Sequence, residues 1–373
     1  MTNDQLEFIH LADGGHGAGK GRNKAQAIFS FPRGEARVST ISLRFSVLAA
    51  AVAAFAFLSV PATADTIDIT LAHHYPKTHI QGKGYEAWAK WVNERGAGKV
   101  KVTTHPAGSL INARESLKAV SKGSVQASNM LGLFQVGTMP FINAMSLPFL
   151  FEDHAHFRRA LKAGLFDFLA KKYEEQNIKL MNYFTKGSTF VFHRKKFMIT
   201  PVDYQNANLR ALGGYMTLML KEFGAKAVTL PTSEVTTALQ RGVVDGLMTS
   251  CTAHIARGWF EEAKYVSDVD LAESGEGLGI NLEFYNGLPA DLRRIVDQAS
   301  KDMEDLEWDL TVKADVETCP QMWKERNLPN RKATPAERAA LREASKALYL
   351  SAEKDIPHLH EILAFVEKTR NTN

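Results

Sequence analysis

The stretch from Thr200 to Ser250 constrains the fold of this chain more than any other. It opens with Thr200-Pro201-Val202-Asp203 and reaches an isolated basic residue at Leu209-Arg210; a helical pattern then runs to Phe223, and Gly224 stops it. Ala227–Leu230 reads as a strand, and Pro231-Thr232-Ser233-Glu234 supplies a helix start, with hydroxyl caps followed by an acid. Val235, Ala238 and Leu239 share one face of the following helix, which stops at Gly242. Val243-Val244-Asp245-Gly246 reads as a short buried strand ending in a turn. Strand, helix, strand, helix, strand is the order of an α/β unit whose loops gather at the strand ends.

Arg210 is the only charged residue between Asp203 and Lys221. A planar guanidinium grips a carboxylate with two parallel hydrogen bonds, and does so best where water is excluded. Spacing alone equally allows a surface arginine paired with Asp203 or Glu234.

The string Pro201-x-Asp203, Leu209-Arg210, Gly224-Ala225, Pro231-x-Ser233-Glu234 and Ala238-Leu239-Gln240-x-Gly242-Val243-Val244-Asp245-Gly246 resembles the substrate-binding proteins of tripartite ATP-independent periplasmic (TRAP) transporters. Gly108-Ser109-Leu110, Leu147–Phe151, Trp259-Phe260 and Lys264–Val266 extend the likeness from Asp65 to the late 360s. The resemblance implies an α/β, two-lobed periplasmic binding protein of the second type, with discontinuous lobes joined by hinge strands and a long C-terminal helix. Lobe one is expected over 65–186 plus 277–312, and lobe two over 187–276 plus 313–373. A small organic acid would bridge the lobes and be delivered to TRAP membrane permease subunits. Arg210 would hold its carboxylate, with His73, His74, Tyr75, Phe134, Gly213, Glu234, Thr249 and Ser250 completing the ligand site.

Three departures narrow the ligand. Many relatives carry a second arginine where this chain has Lys186-Gly187-Ser188-Thr189. Leu247-Met248-Thr249-Ser250 replaces an amide- and acid-bearing segment, and Thr236 stands where a tyrosine is frequent. A second ligand carboxylate would then lie buried without a cation. Lys186 could meet it only by turning inward, and Lys195 and Lys196 make a solvated basic edge the expectation. A monocarboxylate is therefore favoured, with Thr249 and Ser250 as hydroxyl partners.

Upstream, Arg44, an apolar run from Phe45 to Val60 and Pro61-Ala62-Thr63-Ala64 form a secretory signal. The run is shorter than the roughly 20 residues of a membrane span, so residues 38–64 are expected to be cleaved after Ala64, placing the chain in the periplasm. Residues 1–37 are too long for a signal's charged flank and read as a start-site artefact or an extension. Beyond Ala64 stand 39 basic and 37 acidic residues, a balance that offers no footprint for nucleic acid. Cys251 and Cys319 are expected as free buried thiols, since nothing in the sequence brings them together. His73-His74, His154-x-His156 and His358-x-His360 lack ligand partners at metal spacing, no phosphate loop or nucleophile elbow occurs, and no cofactor is implied. His73 or His74, at the mouth of the first strand, serves better as a neutral donor. The competing readings are a binding protein that feeds a sensor kinase, and a periplasmic lyase or isomerase on the same lobes. The enzyme would need a paired acid and base, whereas Glu234 and Asp245 read as a helix-start acid and a turn residue.

Overall fold

Alternation of apolar and polar side chains from Ile67 builds the first strand, burying Ile69 and Leu71 while Asp68 faces solvent. In this computed structural model residues 66–370 are described. The leader and signal peptide expected over residues 1–64 lie outside the described residues. Among the described residues no helix is long and apolar enough to cross a membrane.

In chain order the strands are β1 (Ile67–Ala72), β2 (Val100–His105), β3 (Ala127–Leu131), β4 (Ile178–Leu180), β5 (Phe184–His193), β6 (Asn208–Ala211), β7 (Lys226–Thr229), β8 (Gly246–Ser250), β9 (Tyr265–Asp268), β10 (Glu273–Asn281) and β11 (Asn330–Lys332). They follow the order β2-β1-β3-β10-β5-β8-β6-β7, with β4, β9 and β11 off this path. β1 lies between β2 and β3, all parallel, and β10 runs antiparallel beside β3 and β4. In the second half β6 lies parallel between β7 and β8. β5 belongs to both halves. Its start pairs with Glu273–Glu276 of β10, where the register shifts, and its end pairs with β8 and β9. The fold is thus the two-lobed α/β architecture, with β5 and β10 as the strands that cross between its halves.

The helix Ile80–Gly96 turns Tyr85, Trp88, Ala89 and Val92 inward at helical spacing, and the long helix Ala290–Lys313 packs along it. Trp88 Nε1 donates to Ser300 Oγ at 2.9 Å, and Gln81 Nε2 to Thr311 Oγ1 at 3.2 Å. The same helical path continues through a π turn at Ala314–Thr318 into the helix Cys319–Glu325. There Trp323 joins Phe190, Phe192, Leu247 and Trp259 in the second hydrophobic cluster. The C-terminal helices touch both halves: Lys346–Asp355 meets Gly214–Glu222, and Leu359–Lys368 meets His154–Ala160.

Two expectations are corrected. Cys251 and Cys319 are not free thiols but a disulfide, with Cα atoms 6.2 Å apart. The helical path from the first half carries Cys319 to the foot of the helix Cys251–Ala256, a meeting that sequence distance hides. The strand expected at Val243 begins only at Gly246, and Val243 is exposed. Gly242 takes φ +69°, and Val243 N still bonds Ala238 O at 2.9 Å, so the helix's terminal turn occupies these residues.

Candidate functional site

Arg210 stands in the four-residue strand β6, and the chain leaves it through Gly213 and Gly214, both at positive φ (133° and 54°). Two successive positive φ values favour glycine, and they turn the chain directly into the helix Gly214–Glu222. The guanidinium is fully buried. Its Nε donates to Leu230 O at 3.1 Å and its Nη2 to Thr232 Oγ1 at 3.5 Å, while Nη1 has no partner. Asp203 is not its counter-ion, because Asp203 Oδ2 accepts from Ile199 N, Thr200 N and Thr200 Oγ1. Burial, then the charge of Arg257, pulls the Arg210 pKa down to about 9, so the group stays protonated at neutral pH. A buried cation without an anion is costly, and an incoming carboxylate would offset that cost.

Beside it a cavity of about 400 Å³ opens between the two halves, at the ends of strands from both. His74 follows β1, Phe134 follows β3, Thr232 and Glu234 follow β7, and Arg257 ends the helix after β8; all five line it, with Arg114. Asn129 Nδ2 donates to His74 Nδ1 at 2.8 Å, and His74 N donates to Asn129 Oδ1 at 3.3 Å. Burial, then Lys186, drives the His74 pKa down to about 3. The ring is neutral with its proton on Nε2, the form of a hydrogen-bond donor. Phe134 stands edge-on to it at 6.3 Å.

The structure brings only part of the expected set together. Of those residues His74, Phe134 and Glu234 line the cavity, and Arg210 adjoins it through Thr232. His73 instead stacks on Tyr85 at 5.2 Å, with Nε2 3.6 Å from Glu86. Tyr75 is buried and donates to Glu276 Oε2 at 2.5 Å. Gly213 shapes the turn after β6. Thr249 is buried opposite Phe190 in β8, and the Ser250 hydroxyl caps the helix Cys251–Ala256 by accepting from Ala253 N at 3.4 Å.

Sequence reasoning misplaced one cation, Lys186, and missed another, Arg257. Lys186 is not on a solvated edge; it is 9% exposed, because β5 runs between the halves and is covered along nearly its whole length. Burial lowers its pKa, the nearby carboxylate of Glu276 counters that, and Arg210 and Arg257 lower it further. Glu276, fully buried on β10, is itself raised to about 7 by burial, against the opposing pull of Lys186, Tyr75 and Tyr85. Arg257 carries no sequence signal beyond being one basic residue near the end of a helix. Its guanidinium lies 5.7 Å from the Trp259 ring centroid.

Residues 71–355, well over half of the chain, match the bacterial extracellular solute-binding proteins of family 7. The 2,3-diketo-L-gulonate-binding periplasmic protein YiaO of Escherichia coli is 24% identical over 254 residues, 68% of this chain and 76% of that one. The C4-dicarboxylate-binding periplasmic protein DctP of Rhodobacter capsulatus is 26% identical over 251 residues, 66% of this chain and 75% of that one. Among solved structures, a TRAP periplasmic solute binding protein from Sulfurospirillum deleyianum with bound succinate superposes with a TM-score of 0.76 at 25% identity, covering 82% of this chain and 99% of that one. One from Chromohalobacter salexigens with bound D-glucuronate gives a TM-score of 0.76 at 19% identity, covering 81% and 100%. The chain belongs to the family 7 bacterial extracellular solute-binding proteins, the TRAP solute-binding family that its Thr200–Ser250 motif resembles.

Proposed function

We propose that this protein captures a small organic acid in the cleft between its halves, holds the carboxylate on Arg210, and hands the acid to TRAP permease subunits in the membrane. Cleavage after Ala64 releases it into the periplasm. The observation that carries this reading is the buried guanidinium of Arg210, whose Nη1 has no partner. Neutral His74 offers Nε2–H as a donor across the cavity, and Phe134 supplies an apolar wall. No bond is made or broken. Glu234 is exposed and Nδ1 of His74 is engaged by Asn129, which favours binding over acid–base work at these two residues. A ligand that touches both halves stabilises the closed form by its additional contacts there.

The test is a thermal-shift screen of purified protein against organic acids, followed by calorimetry on the best binder. Arg210→Ala costs about 2–5 kcal/mol of affinity, as when one partner of a buried charge pair is removed. Arg210→Lys keeps the charge, loses the fork and recovers part of it. Near-wild-type binding by the alanine variant would remove Arg210 from the ligand.

A further inference from the structure

We propose that Asn129 is a positioning residue of the cleft, fixing which nitrogen of His74 carries the proton. It thereby decides that the cavity meets its ligand with a hydrogen-bond donor at His74. The proposal rests on the ligand reading above and adds to it a residue that stands behind the cavity wall.

Two contacts between the same pair of residues assign the roles. The backbone N of His74 can only donate, and Asn129 Oδ1 accepts from it at 3.3 Å. The same amide then turns its Nδ2, a donor, towards His74 Nδ1 at 2.8 Å. Nδ1 must be the bare nitrogen, and the single proton of the neutral ring sits on Nε2. An aspartate at this position would reverse the assignment, because both of its oxygens accept and one of them would draw a proton to Nδ1.

The fold holds both partners still. Asn129 is 1% exposed on β3, which lies between β1 and β10. β3 pairs with β1 through Leu71 and Ala72, and Ser128 Oγ donates to Ala72 O at 2.7 Å. Past Ala72 the Asn129 side chain extends that pairing by receiving His74 N. On the other side His73 N donates to His105 O at 3.0 Å, and Ala107 N to Tyr75 O at 2.9 Å. The ring lies against Tyr75, with centroids 4.0 Å apart, and Phe134 stands edge-on to it. The cations acting on it are Lys186 from β5 and Arg257 after the helix Cys251–Ala256, and His73 and His79 adjoin it. Arg114 and Glu234 line the same cavity, and Glu234 is exposed. Burial and the cations keep the ring neutral, with a pKa of about 3. Its tautomer, not its charge, then sets what a ligand meets.

Long-range proton–nitrogen NMR of the purified protein, from about pH 5 to about pH 8, reads the two ring nitrogens, with His74→Gln identifying their signals. The wild type shows a protonated Nε2 and a bare Nδ1 throughout, whereas Asn129→Asp puts a proton on Nδ1. Calorimetry then uses whichever of succinate, pyruvate, L-lactate and D-glucuronate binds the wild type best. Asn129→Asp weakens that binding at least about tenfold near pH 8, where the neutral ring offers a lone pair from Nε2. Part of the loss returns near pH 5, where the carboxylate keeps the ring charged and both nitrogens donate. If the aspartate variant does not fold, Asn129→Leu replaces it: without a partner for Nδ1 the tautomers mix, and binding weakens about threefold or more at every pH. A wild-type ring protonated on Nδ1, a variant ring still protonated on Nε2 alone, or affinity unchanged by substitution at Asn129 overturns the proposal. Binding by none of the four acids, or normal binding by Arg210→Ala, defeats the ligand reading and takes this proposal with it. Unchanged binding in the Asn129 variants, with Arg210→Ala impaired, defeats this proposal alone.

Discussion

His154 opens the helix His154–Ala160, and its two ring nitrogens reach carboxylates from distant parts of the chain. Nδ1 lies 3.0 Å from Glu273 Oε2 and Nε2 3.1 Å from Asp315 Oδ2. Glu273 also accepts from Thr185 Oγ1 at 2.8 Å and Ser188 Oγ at 3.1 Å, and Asp315 accepts from Ser188 N at 2.6 Å. The triad therefore ties β5, β10 and the π turn after the long helix together where the halves meet. Burial alone would lower the His154 pKa, but the hydrogen bonds to Asp315 and Glu273 and their charges raise it from 6.5 to about 10. That shift sets a ceiling of about 5 kcal/mol. Burial also raises the pKa of Asp315, and Glu273 beside it adds to the rise, which offsets part of the gain. We therefore expect His154→Ala to cost about 3 kcal/mol near neutral or mildly acidic pH, since it leaves two buried carboxylates facing each other. A histidine whose folded pKa is raised stabilises fully below its unfolded value, and the gain drains away as pH climbs through the folded one. The deficit of the variant should thus be largest near pH 6.5 and fade towards about pH 10. Urea unfolding followed by tryptophan fluorescence measures it across that range. A loss under about 1 kcal/mol at the acidic end, or a deficit that grows with pH, would refute the reasoning.

Two further changes probe the frame around the cleft. Gly84 sits against the buried carboxyl of Glu307, into which an added Cβ would collide. Gly84→Ala should therefore destabilise by about 1–3 kcal/mol in a denaturant melt, and an unchanged midpoint would show that the two helices can part. The Cys251–Cys319 disulfide closes a separation of 68 residues, so replacing both cysteines by serine should cost about 4 kcal/mol by loop entropy. Unaltered stability in that variant would mean that the link constrains little in the unfolded chain.

What the sequence determined by itself is local. The alternation in Ile67–Ala72, the apolar stripe of Ile80–Gly96 and the stop at Gly224 follow from side-chain periodicity and from φ values that one residue type tolerates. Arg210 was legible for a related reason: a lone charge in an apolar stretch has no local means of staying wet. The tertiary structure decided what no window of residues contains. Lys186 is buried because β5 is drawn between the halves, with Glu276 brought near it on β10. Arg257 reaches the cavity because β8 pairs with β5 and aims the next helix at the cleft. Cys319 meets Cys251 because a helical path begun in the first half ends in the second. Periodicity fixes which face of an element is apolar, but strand pairing fixes which distant faces meet, and the charges of this cleft are set by that meeting.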